Sequence, residues 1–253
     1  MRITALVMAW IVAVLSADRF ATPSEQLLLG AITWVMLIAL LMRQPSIVRV
    51  QTLVVVGFAT LIEYTFSSGL HVYDYRLGHV PAYVPPGHGL VYLAAATFGM
   101  SPWARRNAKV LLPLTVVVAG LVAVHGLLNP TRPDVLGAFW FACLVGFIVW
   151  GRAKTLYVGA YIVVTFLEVL GTHWKVWTWA PVDPVIHHIG IGNPPSVAAG
   201  GYGWFDLAAV ALAPLLVAAT VSVRNRATTR ARPATTEASS FDHVHTPTAL
   251  DPV

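Results

Sequence analysis

The stretch Tyr83–Gly99, "YVPPGHGLVYLAAATFG", decides the topology of the chain. A Pro-Pro-Gly turn carrying His88 runs without a spacer into an apolar segment. If that segment crosses a bilayer, the basic cluster after it, Arg105, Arg106 and Lys109, lies on one side. If it dips in and returns, that cluster and every later loop change sides.

Composition makes lipid the solvent for most of the chain. Of 253 residues, 57% are hydrophobic and 11% charged, with a mean hydropathy of +0.71. A soluble domain carries about 25% charged residues, and no soluble fold hides this much apolar surface. Apolar runs fall at about 3–17, 27–42, 50–66, 88–102, 108–128, 135–150, 155–170 and 204–223, each near the roughly 20 residues a helix needs to cross hydrocarbon. Arg2 and the first run also resemble a signal peptide ending at Ala17, but Leu15 stands where cleavage wants a small residue, so the run reads as an uncleaved span.

The charges test this count. With the N-terminus cytoplasmic and eight spans, the inner segments hold Arg2; Arg43 and Arg49; Arg105, Arg106 and Lys109; Arg152 and Lys154; and Arg224, Arg226, Arg230 and Arg232, which is 12 of the 16 Lys and Arg. The outer loops hold Arg19, Arg76, Arg132 and Lys175. That asymmetry obeys the positive-inside rule, so the opening stretch reads as the start of a true fourth span. The net charge of +5 follows membrane topology, and no nucleic-acid partner is expected. The tail from Arg224, rich in Thr, Ala, Pro and Arg, reads as disordered and cytoplasmic, its basic start against anionic head groups. Its His243-x-His245 pair reads as solvated. Cys143, the single cysteine, excludes an intramolecular disulfide and a Cys-based zinc site.

The two longest outer loops, after spans three and seven, resemble each other. One reads "LIEYTFSSGLHVYDY…VPPGHGLVYLAA" and the other "FLEVLGTHWKVWTW…NPPSVAAGGYGWFDLAA". Glu63 matches Glu168, His71 matches His173, and Gly89-x-x-x-Leu93-Ala94-Ala95 matches Gly203-x-x-x-Leu207-Ala208-Ala209. Four spans per half is an even number, so a duplication would give two parallel four-helix repeats, residues 1–104 and 105–223, with the tail at 224–253. Chance likeness between two Gly/Pro/Trp-rich loops is the competing explanation.

Glu63 and Glu168 are the acidic residues well inside apolar runs away from a terminus. A carboxylate at the centre of a spanning helix costs about 2.5–3.5 kcal/mol. Two roles fit the pair: proton donor or acceptor, or a hydrogen-bonded pin for the loop backbone. His71 and His173 lie close by in sequence and suit carboxylate–imidazole pairs, so Glu63, Glu168, His71 and His173 are the catalytic candidates. His79, His88, His187 and His188, and Asp74, Asp183 and Asp206, crowd the same loops. No ligand spacing for a metal appears, and none is expected. Aromatics crowd there too: Tyr73, Tyr75, Tyr83, Tyr92, Trp174, Trp177, Trp179, Tyr202 and Trp204. An interfacial belt accounts for most of them. The alternative is a slot for a lipid or polyene, with Tyr73, Tyr75, His88, Trp177, Trp179 and Tyr202 as substrate-binding candidates. There is no phosphate loop, nucleophile elbow or dinucleotide fingerprint, and no cofactor is expected.

The layout "SGLHVYDYRLGHVPAYVPP…LVYLAA" resembles loops of small integral-membrane carotenoid enzymes, the lycopene cyclase domain proteins and the carotenoid hydratases. The likeness covers about thirty residues per half. Those cyclases carry Pro-x-Glu-Glu where this chain has Pro85-Pro86-Gly87-His88. What the resemblance implies is polyene protonation, with Glu63 and Glu168 as the carboxyls left to do it. The expectation is thus an all-α bacterial inner-membrane protein with both termini cytoplasmic, its partners membrane lipids and a lipophilic small molecule. The leading function is an intramembrane enzyme acting on an isoprenoid or lipid near the outer leaflet. The alternatives are a proton-coupled transporter or flippase and a non-catalytic subunit of an envelope complex.

Overall fold

The computed structural model describes residues 1–230. Among these residues the chain forms α1 (Arg2–Asp18), α2 (Pro23–Leu41), α3 (Ser46–Glu63) with a π-helical continuation (Tyr64–Gly69), β1 (Tyr73–Tyr75), α4 (Val84–Gly99), α5 (Pro102–Arg106), α6 (Ala108–Leu127), α7 (Val135–Trp150), α8 (Lys154–His173), β2 (Trp177–Trp179) and α9 (Ala199–Arg230). A helix occupies each of the eight apolar runs. Among the described residues five helical segments are long and apolar enough to cross a membrane: Pro23–Leu41, Ser46–Gly69, Ala108–Leu127, Lys154–His173 and Ala199–Thr220.

Residues 1–217 form one compact unit, and Ala218 begins a second. The described part of the second continues α9 to Arg230, so the helix runs past residue 223, where the tail was expected to begin. The rest of that tail, including His243 and His245, lies outside the described residues.

The opening stretch is a continuous helix. Pro85 and Pro86 fall in the first turn of α4, where a missing N–H costs nothing. From Leu90 to Ala96 every residue is buried, because α4 packs against α1, α2, α3 and α8 at once. A helix that is apolar all round is one surrounded by other elements. At 16 residues α4 is about 24 Å long, and protein rather than lipid covers it. Small residues let its neighbours close in. A Cβ on Gly159 of α8 would run into the backbone of Ala95 on α4, so a side chain there would push the two axes apart.

The outside is apolar as well. Leu27, Val35 and Ile38 on α2, and Val117 and Leu121 on α6, are well exposed, which is the surface of a helical membrane protein rather than a soluble one. Hydroxyls in the helices are hidden by bonding back to carbonyls one turn earlier: Thr33 to Leu29 at 2.6 Å, Thr52 to Val48 at 2.8 Å and Thr60 to Val56 at 2.6 Å.

The departure from an all-helical fold is a two-stranded antiparallel sheet. Strand β1 pairs with β2 in the register Tyr73↔Trp179, Asp74↔Thr178 and Tyr75↔Trp177. The two long loops therefore lie side by side at one end of the bundle. Each is pinned by an arginine bonded to backbone carbonyls. Arg76 donates to Ala21 O at 2.6 Å, and Arg132 donates to Ile191 O at 2.6 Å, Trp179 O at 2.7 Å and Ala180 O at 2.9 Å.

Candidate functional site

Alternation along the strands builds the site. In each strand the outer two aromatics are buried and the middle residue, Asp74 or Thr178, is exposed. Both loops enter their strand the same way. His71 and Lys175 adopt left-handed backbone conformations (φ 55° and 58°), a buried valine follows (Val72, Val176), and then come the aromatics. The bracketing bonds also match: Arg76 N donates to Val176 O at 2.9 Å, and Ala180 N to Val72 O at 2.9 Å. By backbone the loops thus correspond as His71 to Lys175, not His71 to His173. One difference stands before the strands. Glu63 lies one position farther from Tyr73 than Glu168 does from Trp177, and the π-helical turn after Glu63 takes up an extra residue there.

The aromatic faces cover a cavity of about 380 Å³ at the loop-bearing end of the bundle. Its walls come from α1, α3, α4, α7, α8, α9 and both strands, and are mostly apolar. Glu63 and Glu168, 5% and 3% exposed, both border it. Each carboxyl has its own donors. Glu63 Oε2 accepts from Tyr75 Oη at 2.8 Å, and Glu63 Oε1 lies 2.8 Å from His88 Nε2. Glu168 Oε2 accepts from Trp177 Nε1 at 3.0 Å and Trp179 Nε1 at 3.2 Å, while its Oε1 accepts from Tyr202 Oη at 3.3 Å. The His88 ring stacks on Tyr202 at 5.3 Å, which links the two sets. Burial, and then the charge of Glu63, hold the Tyr75 phenol well above its ordinary pKa, so it stays a donor.

These contacts correct the expected pairings. Glu63 takes His88 and Tyr75 rather than His71; His71 Nδ1 lies 2.8 Å from Asp74 Oδ1 on the exposed face. Glu168 takes two indoles and a phenol rather than His173, which is exposed. The structure brings together Glu63, Glu168, Tyr73, Tyr75, His88, Trp177, Trp179 and Tyr202 around the cavity and leaves His71 and His173 outside it. The interfacial-belt reading of the aromatics is corrected too: Tyr73, Tyr75, Tyr83, Tyr92, Trp177 and Trp179 are buried, and of the nine only Trp204 is exposed. Trp10 of α1 and Trp140 of α7 also line the cavity and were not legible as site residues; a tryptophan in an apolar run reads alike whether it faces lipid or a cavity. Asp206 belongs to the interior of α9 rather than to a loop.

Glu168 also borders a more polar cleft of about 520 Å³, lined by His125, Asn129, Thr131 and Arg132 among others. Among the described residues no group of three or more His, Cys, Asp or Glu is placed to hold a metal ion. The chain matches no protein-family model, no curated protein and no solved structure.

The Trp177 contact depends on a small neighbour. Gly171 lies one turn after Glu168, and a Cβ there would overlap the Trp177 indole. Gly171→Ala is expected to push that ring off Glu168 and to destabilise the fold by about 1–3 kcal/mol. Thermal unfolding in detergent checks it, and an unchanged midpoint would show that the indole is not held as described.

Proposed function

We propose that this protein is an intramembrane enzyme that transfers protons to and from a lipophilic substrate, an isoprenoid or lipid, in the aromatic chamber between its two loops. The observation that carries the reading is the pairing of two buried carboxyls, Glu63 and Glu168, on the wall of one apolar cavity. Its volume of about 380 Å³ falls in the range of small-molecule sites and suits the end of a chain. A protonated carboxyl adds its proton to a carbon–carbon double bond, leaving a cation on the chain. The faces of Tyr73, Trp177 and Trp179 stabilise that cation, and the second carboxylate removes a proton from a neighbouring carbon. This is also what the loop resemblance to carotenoid enzymes implies.

The finer architecture belongs to the same proposal: eight spans in the bacterial inner membrane, termini in the cytoplasm, the sheet and chamber on the outer side, and two parallel four-helix repeats. The charge asymmetry supports the sidedness, and the matched loop entries, His71-Val72 and Lys175-Val176, support the duplication. One observation favours a proton-coupled transporter as a second reading. Glu168 borders both the chamber and the polar cleft, as a carboxyl exchanging protons with water would. Lipid and pigment profiling of a deletion strain separates them. The enzyme reading expects a precursor to accumulate and its product to vanish, and an unchanged profile removes it.

A further inference from the structure

Asp206 is another buried carboxyl, near the chamber pair. It lies on α9 one turn beyond Tyr202, is 4% exposed, and its Oδ2 has no hydrogen-bond partner among the described residues. Burying a polar group without a partner is costly, and an intramembrane carboxylate is a functional candidate by default. The other orphan nearby is His88. Its Nε2 faces Glu63, but its Nδ1 has no partner among the described residues. His88 and Asp206 line the same small pocket, of about 10 Å³, close to the volume one water molecule needs. His88 meets Glu63 from α3 and Tyr202 and Phe205 from α9, and the pocket it shares with Asp206 is also lined by Tyr92 of α4 and by Ala160 and Val164 of α8.

We propose that one buried water bridges His88 Nδ1 and Asp206, extending the hydrogen-bond chain of the chamber from Glu63 through His88 to a third carboxyl. With Asp206 protonated, its Oδ2–H donates to the water oxygen while the water donates to Nδ1, so one water satisfies both orphans at once. Tyr202 stacked on one side and Phe205 edge-on, with ring centroids 5.3 and 5.7 Å away, hold the imidazole in place for it. The chain is a proton relay that balances. The water gives a proton to Nδ1 and takes one from Asp206, while the proton on Nε2 passes to Glu63; the imidazole ends neutral and one proton has moved from Asp206 to Glu63. The relay deepens the proposed function by giving Glu63 a proton reserve outside the substrate space, and it rests on that reading for its purpose.

Water-edited solid-state NMR of the full-length protein in bilayers, labelled with ¹⁵N-histidine, tests the site. Magnetisation from water protons is expected to reach His88 Nδ1 in the wild type. Asp206→Asn is expected to keep the transfer, because its amide N–H still donates to the water. Asp206→Leu is expected to lose it, because the side chain fills the pocket. No transfer in the wild type overturns the proposal, whether or not the leucine variant folds, and so does transfer in Asp206→Leu equal to wild type. The measurement reads water rather than lipid chemistry, so an unchanged lipid profile with the transfer present removes the enzyme reading and leaves the site standing.

Discussion

Glu63→Gln and Glu168→Gln, returned to a deletion strain, are each expected to fold and to fail to restore the lipid or pigment profile. General acid–base groups contribute about 10²–10⁴-fold to rate, so each variant should lower product formation by that order. The fold survives because glutamine can re-use the existing partners. At Glu168 its oxygen takes the place of Oε2 under the indoles of Trp177 and Trp179, while its amide meets Tyr202, whose hydroxyl can accept as well as donate. At Glu63 its oxygen keeps Tyr75, and its amide donates to His88 Nε2 once the ring takes the other tautomer.

Glu168→Leu is the contrasting case. It leaves two indole N–H groups and a phenol without an acceptor, at about 1–3 kcal/mol for each buried group. If the two glutamine variants complement fully while the leucine variant unfolds, the carboxyls are loop pins and the catalytic reading fails. If the glutamines fold and do not complement, the pin explanation fails.

The helical plan was legible because its signal is additive. Each apolar run needs only length and hydropathy, and the basic residues between runs are few enough to place one by one. Glu63 and Glu168 were legible for the opposite reason: a single carboxyl in an apolar run is conspicuous. Their partners were not. Tyr75, Trp177 and Trp179 reach the carboxyls because β1 pairs with β2 across about a hundred residues of sequence, and three-residue strands in an aromatic loop carry no periodic signal. Nearness in sequence suggested His71 and His173 instead. His71 is turned outward by its left-handed backbone and held there by Asp74, and His88 arrives from the next helix. Burial was misjudged for the same aromatics, since a tyrosine or tryptophan near a helix end suits a head-group belt and a covered chamber equally well.

Asp134→Ala is expected to cost about 1–3 kcal/mol for each buried N–H it leaves unpaired, and to empty the site without touching it. The carboxyl is buried and accepts four bonds. Oδ1 takes Gly137 N at 2.8 Å, capping α7, and Gly192 N at 2.8 Å. Oδ2 takes Ser196 N and Ser196 Oγ, both at 2.5 Å. Alanine leaves three backbone N–H groups unpaired, Gly137 at the start of α7 and Gly192 and Ser196 where the second long loop turns into α9. The loss spreads through Asn193, whose Oδ1 accepts from Trp179 N at 3.1 Å. Once residues 192–196 loosen, β2 loses that anchor and Trp179 its hold above Glu168. Asp134→Asn keeps one acceptor oxygen, so its cost should be smaller, and Asp74→Ala, on the exposed strand position, should cost under about 0.5 kcal/mol. Tryptophan-fluorescence unfolding of the three variants gives the order, alanine at 134 far below the others. Equal midpoints for Asp134→Ala and wild type would mean that the loop is held in place by the apolar chamber alone.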